Sequence, residues 1–175
     1  GDLIAEFGAD KCQTLLLNFS CPKNPDVEYF LKSKAIRFEQ SDNARSYLIL
    51  NSDNGDILAY FALSFKEVSL EQTNLSKSKI KQLDGINKNS EKVRAYLIGQ
   101  IAKNFAVLSN SITLSLILDE VYAIIAEAKA LVGGRAIILE CEKNDKLIAL
   151  YRANGFEILI NTDDEPLVTM YTFIA

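Results

Sequence analysis

Apolar residues recur along the chain with two different spacings, and these spacings predict a mixture of strands and helices. The segments Ser46–Leu50 and Ile57–Val68 have the pattern of strands, and the turn sequence Asp53-Asn54-Gly55 between them predicts a β-hairpin. Ile112–Leu131 has the spacing of an amphipathic helix, and the following glycine pair is a helix-stop signal. Further strands are predicted at Tyr96–Ala102, Ala136–Glu140, Phe156–Ile160 and Leu167–Ile174.

The first forty residues and the remaining helices complete the predicted order. The apolar run Leu15–Phe19, which stops before Pro22, predicts a first strand. Asp26 is the predicted N-cap of a helix whose apolar positions extend from Val27 to Phe38. Two more helices are predicted, a short one at Leu75–Leu83 and one that Asn144 caps and that continues to Ala153.

The predicted order is therefore β-α-β-β-α-β-α-β-α-β-β. Strands that alternate with helices after residue 95 favour parallel pairing, whereas the hairpin requires antiparallel pairing. We expect an α/β fold class with a central mixed, twisted sheet flanked by helices.

Composition indicates one globular domain, which we expect to span residues 1–175. The chain is 49% hydrophobic and 24% charged, and its length is that of an ordinary domain. No apolar run approaches the roughly 20 residues of a membrane span. The first residues carry Asp2 and Glu6 rather than the basic start of a signal peptide. These features predict a cytoplasmic protein with no membrane partner.

The absence of histidine narrows the chemistry. The chain has no His and three cysteines, Cys12, Cys21 and Cys141. Ser-His and Cys-His nucleophilic catalysis are excluded, and three scattered cysteines favour reduced thiols over a zinc site or a disulfide framework. We predict no metal, and acid–base chemistry must use Asp, Glu, Tyr, Lys, Cys or bound water.

Charge is distributed unevenly along the chain. The net charge is −4, which argues against general adhesion to nucleic acid. Residues 71–94 nevertheless carry six basic side chains against three acidic ones. This stretch is either a solvated loop with a short helix or a contact surface for an anionic partner.

One motif has a specific spacing. Asn144 stands seven residues before Tyr151, and Gly155 and Phe156 follow that tyrosine by four and five residues. This segment resembles the fourth-helix motif of the GNAT family of acetyl-coenzyme A-dependent N-acetyltransferases. The segment Ile98–Asn104 is similar to the family's pantetheine-binding strand, and Phe19–Asn24 resembles the front end of the branch that contains acetyltransferase toxins of toxin–antitoxin pairs.

The main departure from the family lies in the loop that follows the pantetheine strand. In the family this loop is rich in glycine and holds the pyrophosphate with backbone N–H groups and a helix N-terminus. Counted without gaps from Asn104, the family's three glycines fall on Ser109, Ser111 and Thr113, and its basic residue falls on Asn110. The hydroxyls either replace the lost contacts or leave the site degenerate.

The resemblance assigns roles to particular residues. Tyr151 takes the position of the family's general acid, which protonates the leaving thiolate. The alternative role for Tyr151 is that of an aromatic residue in the core. Asn144 would contact the coenzyme or only cap its helix. The expected cofactor-binding residues are Ile101, Ala102, Lys103, Ser109, Asn110, Ser111, Ile112, Thr113 and Asn144. No general base is assigned, because Glu67, Glu140 and Glu142 are expected to be solvated rim charges.

Three functions remain open from the sequence. The first is an N-acetyltransferase that uses acetyl-CoA and an unidentified amine, and a sharper version is a toxin that acetylates aminoacyl-tRNA, with Lys77, Lys79, Lys81 and Arg94 as RNA contacts. The second is a non-catalytic binding module with this fold. The third uses a different acyl-coenzyme A as donor. An antitoxin protein, a tRNA and a second copy of the chain are the candidate macromolecular partners.

Overall fold

A computed structural model describes residues 1–71 and 73–174. Gln72, within the basic stretch, and Ala175, at the end of the predicted domain, lie outside the described residues. The described chain forms two compact units, one made of residues 1–64 and 99–121 and the other of residues 65–98 and 122–175. The prediction of a single domain over 1–175 stays a prediction.

Helices and strands alternate in the second half of the chain, as the sequence predicts. The helices are α1 Asp2–Phe7, α2 Ala9–Leu16, α3 Pro25–Ser33, α4 Ala35–Gln40, α5 Lys77–Asp84, α6 Leu114–Val132 and α7 Asp145–Ala153. The strands are β1 Arg45–Leu50, β2 Ile57–Ser69, β3 Lys92–Lys103, β4 Ala136–Glu142, β5 Glu157–Ile160 and β6 Leu167–Phe173. No described helix has the length and apolar character to cross a membrane.

The strands form one mixed sheet in the order β1-β2-β3-β4-β6-β5. The hairpin partners β1 and β2 are antiparallel, as predicted. Strand β4 is parallel to β3 and antiparallel to β6, and β6 is antiparallel to β5. Helix α6 supplies the crossover that a parallel β3–β4 pair requires. The predicted mixed α/β sheet is confirmed.

The predicted first strand at Leu15–Phe19 is wrong, because this segment begins inside helix α2. Cys12 and Leu16 are buried four residues apart, whereas Leu17 is 56% exposed. Burial at i and i+4 is the helical period, and a short apolar run does not by itself distinguish a strand from a helix. The described fold therefore opens on helices.

The predicted cap at Asp26 is also wrong. The N-cap of α3 is Asn24, whose side-chain oxygen accepts a hydrogen bond from the Val27 N–H at 3.3 Å. Pro25 occupies the first helical position, where its fixed φ fits and its missing N–H costs nothing. The predicted helix over Val27–Phe38 is divided into α3 and α4, since Lys34 has a φ of −123°.

Each unit has its own buried apolar cluster. In the first unit Phe19, Leu31 and Tyr60 pack with Ala102 near the end of β3. In the second unit Val68, Leu83, Ala136, Ile138 and Tyr171 form the centre of the other cluster. Burying such side chains stabilises each unit by about 1.5–3 kcal/mol per large residue. The first cluster fixes the strand end from which the candidate coenzyme loop departs.

Candidate active site

The end of β3 is anchored in the core of the first unit. Ala102 is 8% exposed and packs in the cluster with Phe19 and Tyr60, while Ile101 and Lys103 on either side are half-buried. This alternation is that of a strand with one face buried. The backbone of the three predicted pantetheine contacts is therefore held by packing on one side.

Asn104, directly after β3, connects three segments of the first unit. It is 2% exposed. Its Oδ1 accepts hydrogen bonds from the N–H groups of Ser20 at 2.9 Å and Ala106 at 3.0 Å. Its Nδ2 donates to the carbonyl oxygen of Ile57 at 2.7 Å, and its backbone N–H donates to that of Leu58 at 2.8 Å. Sequence reasoning gave this residue no role, although a polar side chain at the end of an apolar strand is a signal that could have identified it.

The loop over 104–113 keeps a backbone shape that suits glycine. Ser109 has a φ of 58°, in the left-handed region that side chains rarely adopt. From the sequence resemblance, a glycine of the GNAT family is expected at this position. The conformation is thus present although the glycine is not, at a cost of about 1–2 kcal/mol.

Asn110 holds this loop in place. Its Nδ2 donates to the carbonyl oxygens of Leu58 at 2.8 Å and Asn104 at 2.9 Å. Its Oδ1 accepts from the N–H of Ile112 at 3.1 Å. The Ile112 N–H is therefore not free to bind a phosphate. This hydrogen bond makes the loop more rigid and leaves it one backbone donor fewer for a ligand.

The hydroxyl-bearing residues of the loop are exposed and precede a long helix. Ser109, Ser111 and Thr113 are all exposed, whereas Ile112 is buried. The Oγ1 of Thr113 accepts from the N–H of Leu116 at 3.3 Å, in the pattern of a helix N-cap. Helix α6 has 19 residues, so its N-terminal dipole favours an anion next to these hydroxyls.

The turn after α2 is tied to the same loop. Phe105 donates its N–H to the carbonyl oxygen of Ser20 at 2.7 Å, and the Nζ of Lys23 lies 4.9 Å from the centre of the Phe105 ring. The Cys21 N–H donates to Glu28 Oε2 at 2.6 Å. Hydrogen bonds from Ser20 to Asn104 and from Phe105 to Ser20 therefore connect the turn to the loop.

Asn144 and Tyr151 belong to the second unit. The Oδ1 of Asn144 accepts from the N–H groups of Lys146 at 3.0 Å and Leu147 at 3.3 Å, so it is the N-cap of α7 as predicted. At the other end of the helix Gly155 has a φ of 86°. Leu150, which directly precedes Tyr151 on this helix, is 46% exposed.

Tyr151 is buried, and its burial changes the acidity of its phenol. It is 7% exposed, and its ring packs edge-on against Phe156 with 5.8 Å between the ring centres. Burial raises the pKa of Tyr151 to about 12, and the nearby Cys141 adds to the effect. The phenol therefore remains protonated throughout the neutral range. This environment suits both an aromatic residue of the core and a proton donor that stays protonated at neutral pH.

The candidate carboxylates of the second unit are engaged at the surface. Glu140 Oε1 lies 2.6 Å from the Nζ of Lys66, and Glu67 Oε1 lies 2.9 Å from the Nζ of Lys92. Glu142 is exposed. Burial raises the pKa of the Cys141 thiol, so this cysteine is a buried apolar residue rather than a nucleophile. Within residues 1–71 and 73–174, no cluster of acidic or cysteine side chains has the arrangement of a metal site.

Two arginines line one cavity of the second unit. The cavity measures about 620 Å³, and Arg94, Arg135 and Lys92 line it with Glu67 and Asp84. Lys92 is paired with Glu67, and Asp84 accepts from the N–H groups of two neighbouring residues. Among the described residues neither arginine forms an ion pair. Glu67 and Asp84 nevertheless line the same cavity, which therefore carries three cationic side chains against two carboxylates.

A second cavity, in the first unit, lies away from the candidate loop. It measures about 450 Å³ and lies between α1, α4 and β1. Leu16, Leu31 and Ala35 line it and belong to the buried cluster that contains Ala102. None of the predicted coenzyme-binding residues lines this cavity.

The predicted site residues thus fall into two groups. Ile101–Lys103 and residues 109–113 are brought together in the first unit, while Asn144 and Tyr151 lie on one helix of the second. Asn104 joins the first group as a residue that the sequence analysis did not identify.

Comparison with known proteins identifies the fold. No protein-family model and no curated protein sequence matches this chain. The chain is similar in structure to AtaT complexed with acetyl-methionyl-tRNAfMet, with a TM-score of 0.68 and 19% identity over 88% of this chain and 85% of that chain. It is also similar to a tyrosine-to-phenylalanine mutant of KacT, with a TM-score of 0.69 and 20% identity over 92% of this chain and 89% of that chain.

A third similar structure is a tyrosine-to-phenylalanine mutant of the toxin AtaT, bound to the C-terminus of the antitoxin AtaR and to acetyl-CoA. Its TM-score is 0.65, with 14% identity over 91% of this chain and 85% of that chain. Together these likenesses confirm the GNAT fold that the sequence predicts.

Proposed function

We propose that this chain is an acetyl-coenzyme A-dependent N-acetyltransferase that binds the pyrophosphate at residues 109–113 and uses Tyr151 as general acid. The observation that carries the proposal is the loop before α6. Ser109 keeps the left-handed backbone of a glycine position, and Asn110 fixes the loop in front of a helix N-terminus. The fold is that of AtaT, of which one structure contains acetyl-CoA.

Three groups of the loop suit a pyrophosphate. The exposed hydroxyls of Ser109, Ser111 and Thr113 are hydrogen-bond donors, and the dipole of α6 favours negative charge at its N-terminus. Because Asn110 occupies the N–H of Ile112, hydroxyls take over part of what backbone groups do in a glycine-rich loop. We expect binding that is weaker than a glycine-rich loop would give.

The proposed reaction is direct transfer. The amine nitrogen attacks the thioester carbonyl carbon, so a C–N bond forms and the C–S bond breaks. The amine loses its proton to water, and the leaving thiolate takes a proton from the Tyr151 hydroxyl. The Tyr151 phenolate then regains a proton from the solvent, so no net proton is gained or lost. A phenol whose pKa is raised by burial is a weaker acid than an ordinary tyrosine, but it is fully protonated at neutral pH. Backbone N–H groups near Ile101–Lys103 are the candidates for the oxyanion contact.

Aminoacyl-tRNA is the acceptor with a specific observation in its favour. AtaT has been seen with acetyl-methionyl-tRNAfMet, and in this chain three cationic side chains, Lys92, Arg94 and Arg135, line one cavity against two carboxylates. The overall charge of −4 opposes RNA binding. Lys79, one of the predicted contacts, is paired with Glu157 at 3.2 Å. We expect Arg94→Ala to weaken tRNA binding and to flatten its salt dependence, while Lys79→Ala does so less. An antitoxin and a second copy of the chain remain proposed partners.

The alternative is a binding module with this fold and no catalysis. The feature that favours it is the loop itself, since three side chains and one occupied N–H narrow the approach of a pyrophosphate. The two proposals differ in one property, the affinity for acetyl-CoA.

Isothermal titration with acetyl-CoA separates them. The enzyme proposal expects micromolar binding that Ser111→Glu abolishes, because a carboxylate at the centre of the loop repels phosphate. Ser52→Glu, in the exposed turn after β1, adds the same charge away from the loop and should leave binding unchanged. Absence of binding at millimolar acetyl-CoA would rule out the enzyme. If binding is found, Tyr151→Phe is the catalytic control in a screen of amines and aminoacyl-tRNA.

A further inference from the structure

The side chain of Lys103 reaches the candidate coenzyme loop. Lys103 is the last residue of β3, and its Nζ donates a hydrogen bond to the carbonyl oxygen of Asn110. The residue is half-buried, so its ammonium lies against the loop rather than extending into solvent. From the sequence, Lys103 is among the expected cofactor-binding residues, but its side chain is given no role.

The charge of this ammonium is uncompensated. Among the described residues no carboxylate forms an ion pair with Lys103, although seven other ion pairs are present. A lysine held against a backbone carbonyl uses one of its three N–H donors. Two donors and a full positive charge remain for another group.

Residues 104–113 of the loop include no Lys or Arg that could pair with a phosphate. Asn110 is uncharged, and the Ile112 N–H is taken by the Asn110 side chain. The Leu116 N–H is taken by Thr113. What the loop itself offers is neutral hydroxyls and a partial helix-dipole charge, whereas a pyrophosphate diester carries two negative charges. Hydrogen bonds to ionised partners are about twice as strong as those between neutral groups, so one nearby ammonium has a large effect.

We propose that the ammonium of Lys103 supplies the positive charge that binds the coenzyme's phosphates, so that the cation of this site comes from the strand and not from the loop. The inference rests on the proposed function. It also explains the Asn110 carbonyl contact, which directs the flexible lysine towards the loop before any ligand arrives.

Lys23 is the competing cation. Its Nζ lies over the Phe105 ring at 4.9 Å, on the turn that Asn104 ties to the loop. Lys23 is exposed, and it makes no hydrogen bond to residues 104–113. Burial and direct contact therefore favour Lys103.

The test compares a phosphate-bearing ligand with one that has no phosphate. Binding of acetyl-CoA and of acetyl-pantetheine is measured by isothermal titration for the full chain and for Lys103→Met, Lys103→Arg and Lys23→Met. Lys129→Met is the matched control, because Lys129 also donates to a backbone carbonyl, that of Ile174 at 3.4 Å, but lies at the far end of α6. Each titration is repeated at 50 and 300 mM salt.

Lys103→Met should weaken acetyl-CoA binding by about 10- to 100-fold and leave acetyl-pantetheine within about twofold, since only the first ligand carries phosphate. The salt dependence of acetyl-CoA binding should flatten in Lys103→Met and persist in Lys103→Arg. The Lys129→Met control should match the unaltered chain.

Other results would overturn the inference in distinguishable ways. Equal affinity of Lys103→Met and the unaltered chain for acetyl-CoA would remove Lys103 from the site. Equal losses for both ligands would make it a structural residue, and a loss confined to Lys23→Met would assign the charge to the turn. If the unaltered chain binds neither ligand, the proposed function fails, and the inference fails with it.

Discussion

The Nδ2 of Asn110 lies 2.8 Å from the carbonyl oxygen of Leu58 and ties the loop before α6 to the start of β2. The same side chain bonds the carbonyl of Asn104 and the N–H of Ile112. A loop without glycine is thus held in one shape by a single amide.

Replacing Asn110 by alanine should loosen the loop more than it harms the fold. Loss of these hydrogen bonds should lower the free energy of unfolding by about 1–3 kcal/mol. The loss should not be larger, because the two freed carbonyl groups can still reach water at this half-buried position. Amide exchange at 108–113 should accelerate while exchange in β2 is unchanged. Asn161→Ala, at an exposed position after β5, is the control and should change neither measurement. Unaltered exchange in Asn110→Ala would show that the loop is held by something else.

Replacing Ser109 by glycine should stabilise the protein. A φ of 58° costs a residue with a side chain about 1–2 kcal/mol, and glycine avoids this cost. Part of the gain is lost, because glycine gives the unfolded chain more conformational freedom. Ser109→Gly should therefore raise the free energy of unfolding by about 0.5–1 kcal/mol in urea titrations.

Ser111→Gly is the matched control for this substitution. Ser111 is not among the residues with positive φ, so glycine there should destabilise slightly. Equal effects of the two substitutions would contradict the assigned backbone strain at Ser109.

Asn104 should be among the most sensitive polar positions in the first unit. Alanine would leave the buried carbonyl of Ile57 and the partly buried N–H groups of Ser20 and Ala106 without their partner. Each unsatisfied buried group costs about 1–3 kcal/mol, so a loss of about 3 kcal/mol or more is expected in urea unfolding. Asn18→Ala, at an exposed position in the same turn region, should change stability by less than about 0.5 kcal/mol. A small effect at Asn104 would mean that water replaces its contacts.

Tyr151 should make stability fall at alkaline pH. Its folded pKa of about 12 exceeds the ordinary value of 10, so the folded state retains the proton where the unfolded state has lost it. The stabilisation is fully present below pH 10 and is lost as pH rises towards 12, by roughly 3 kcal/mol in total.

Tyr151→Phe isolates this contribution, because other buried tyrosines with raised pKa values remain in both proteins. Urea unfolding at pH 9 and pH 11 should show a smaller decline in Tyr151→Phe than in the unaltered chain. Parallel declines would place the phenol in contact with water and remove its special environment.

The comparison of sequence and structure differs between the two halves of the chain. The helix from Asn144 to Ala153, its cap and its terminal glycine agree with the prediction, because capping and left-handed termini depend on a few neighbouring residues. The run Leu15–Phe19 is a helix end and not a strand, because its three leucines suit either structure and only the burial of Cys12 and Leu16 decides between them.

The sequence by itself determined the mixed sheet, the hairpin, the exclusion of histidine chemistry and the positions of the candidate coenzyme loop and of Tyr151. The sheet and the hairpin follow from local spacing and turn chemistry, and the exclusion follows from composition, whereas the candidate coenzyme loop and Tyr151 are assigned by the resemblance to a family. Only the tertiary structure decided that Ser109 adopts a glycine-like φ, that Asn104 and Asn110 hold the loop, and that the Lys103 ammonium lies against it. The contacts of Asn104, Asn110 and Lys103 are hydrogen bonds between segments as many as 84 residues apart. Their partners are backbone groups, which every residue carries, so no pattern of side chains along the chain can announce them.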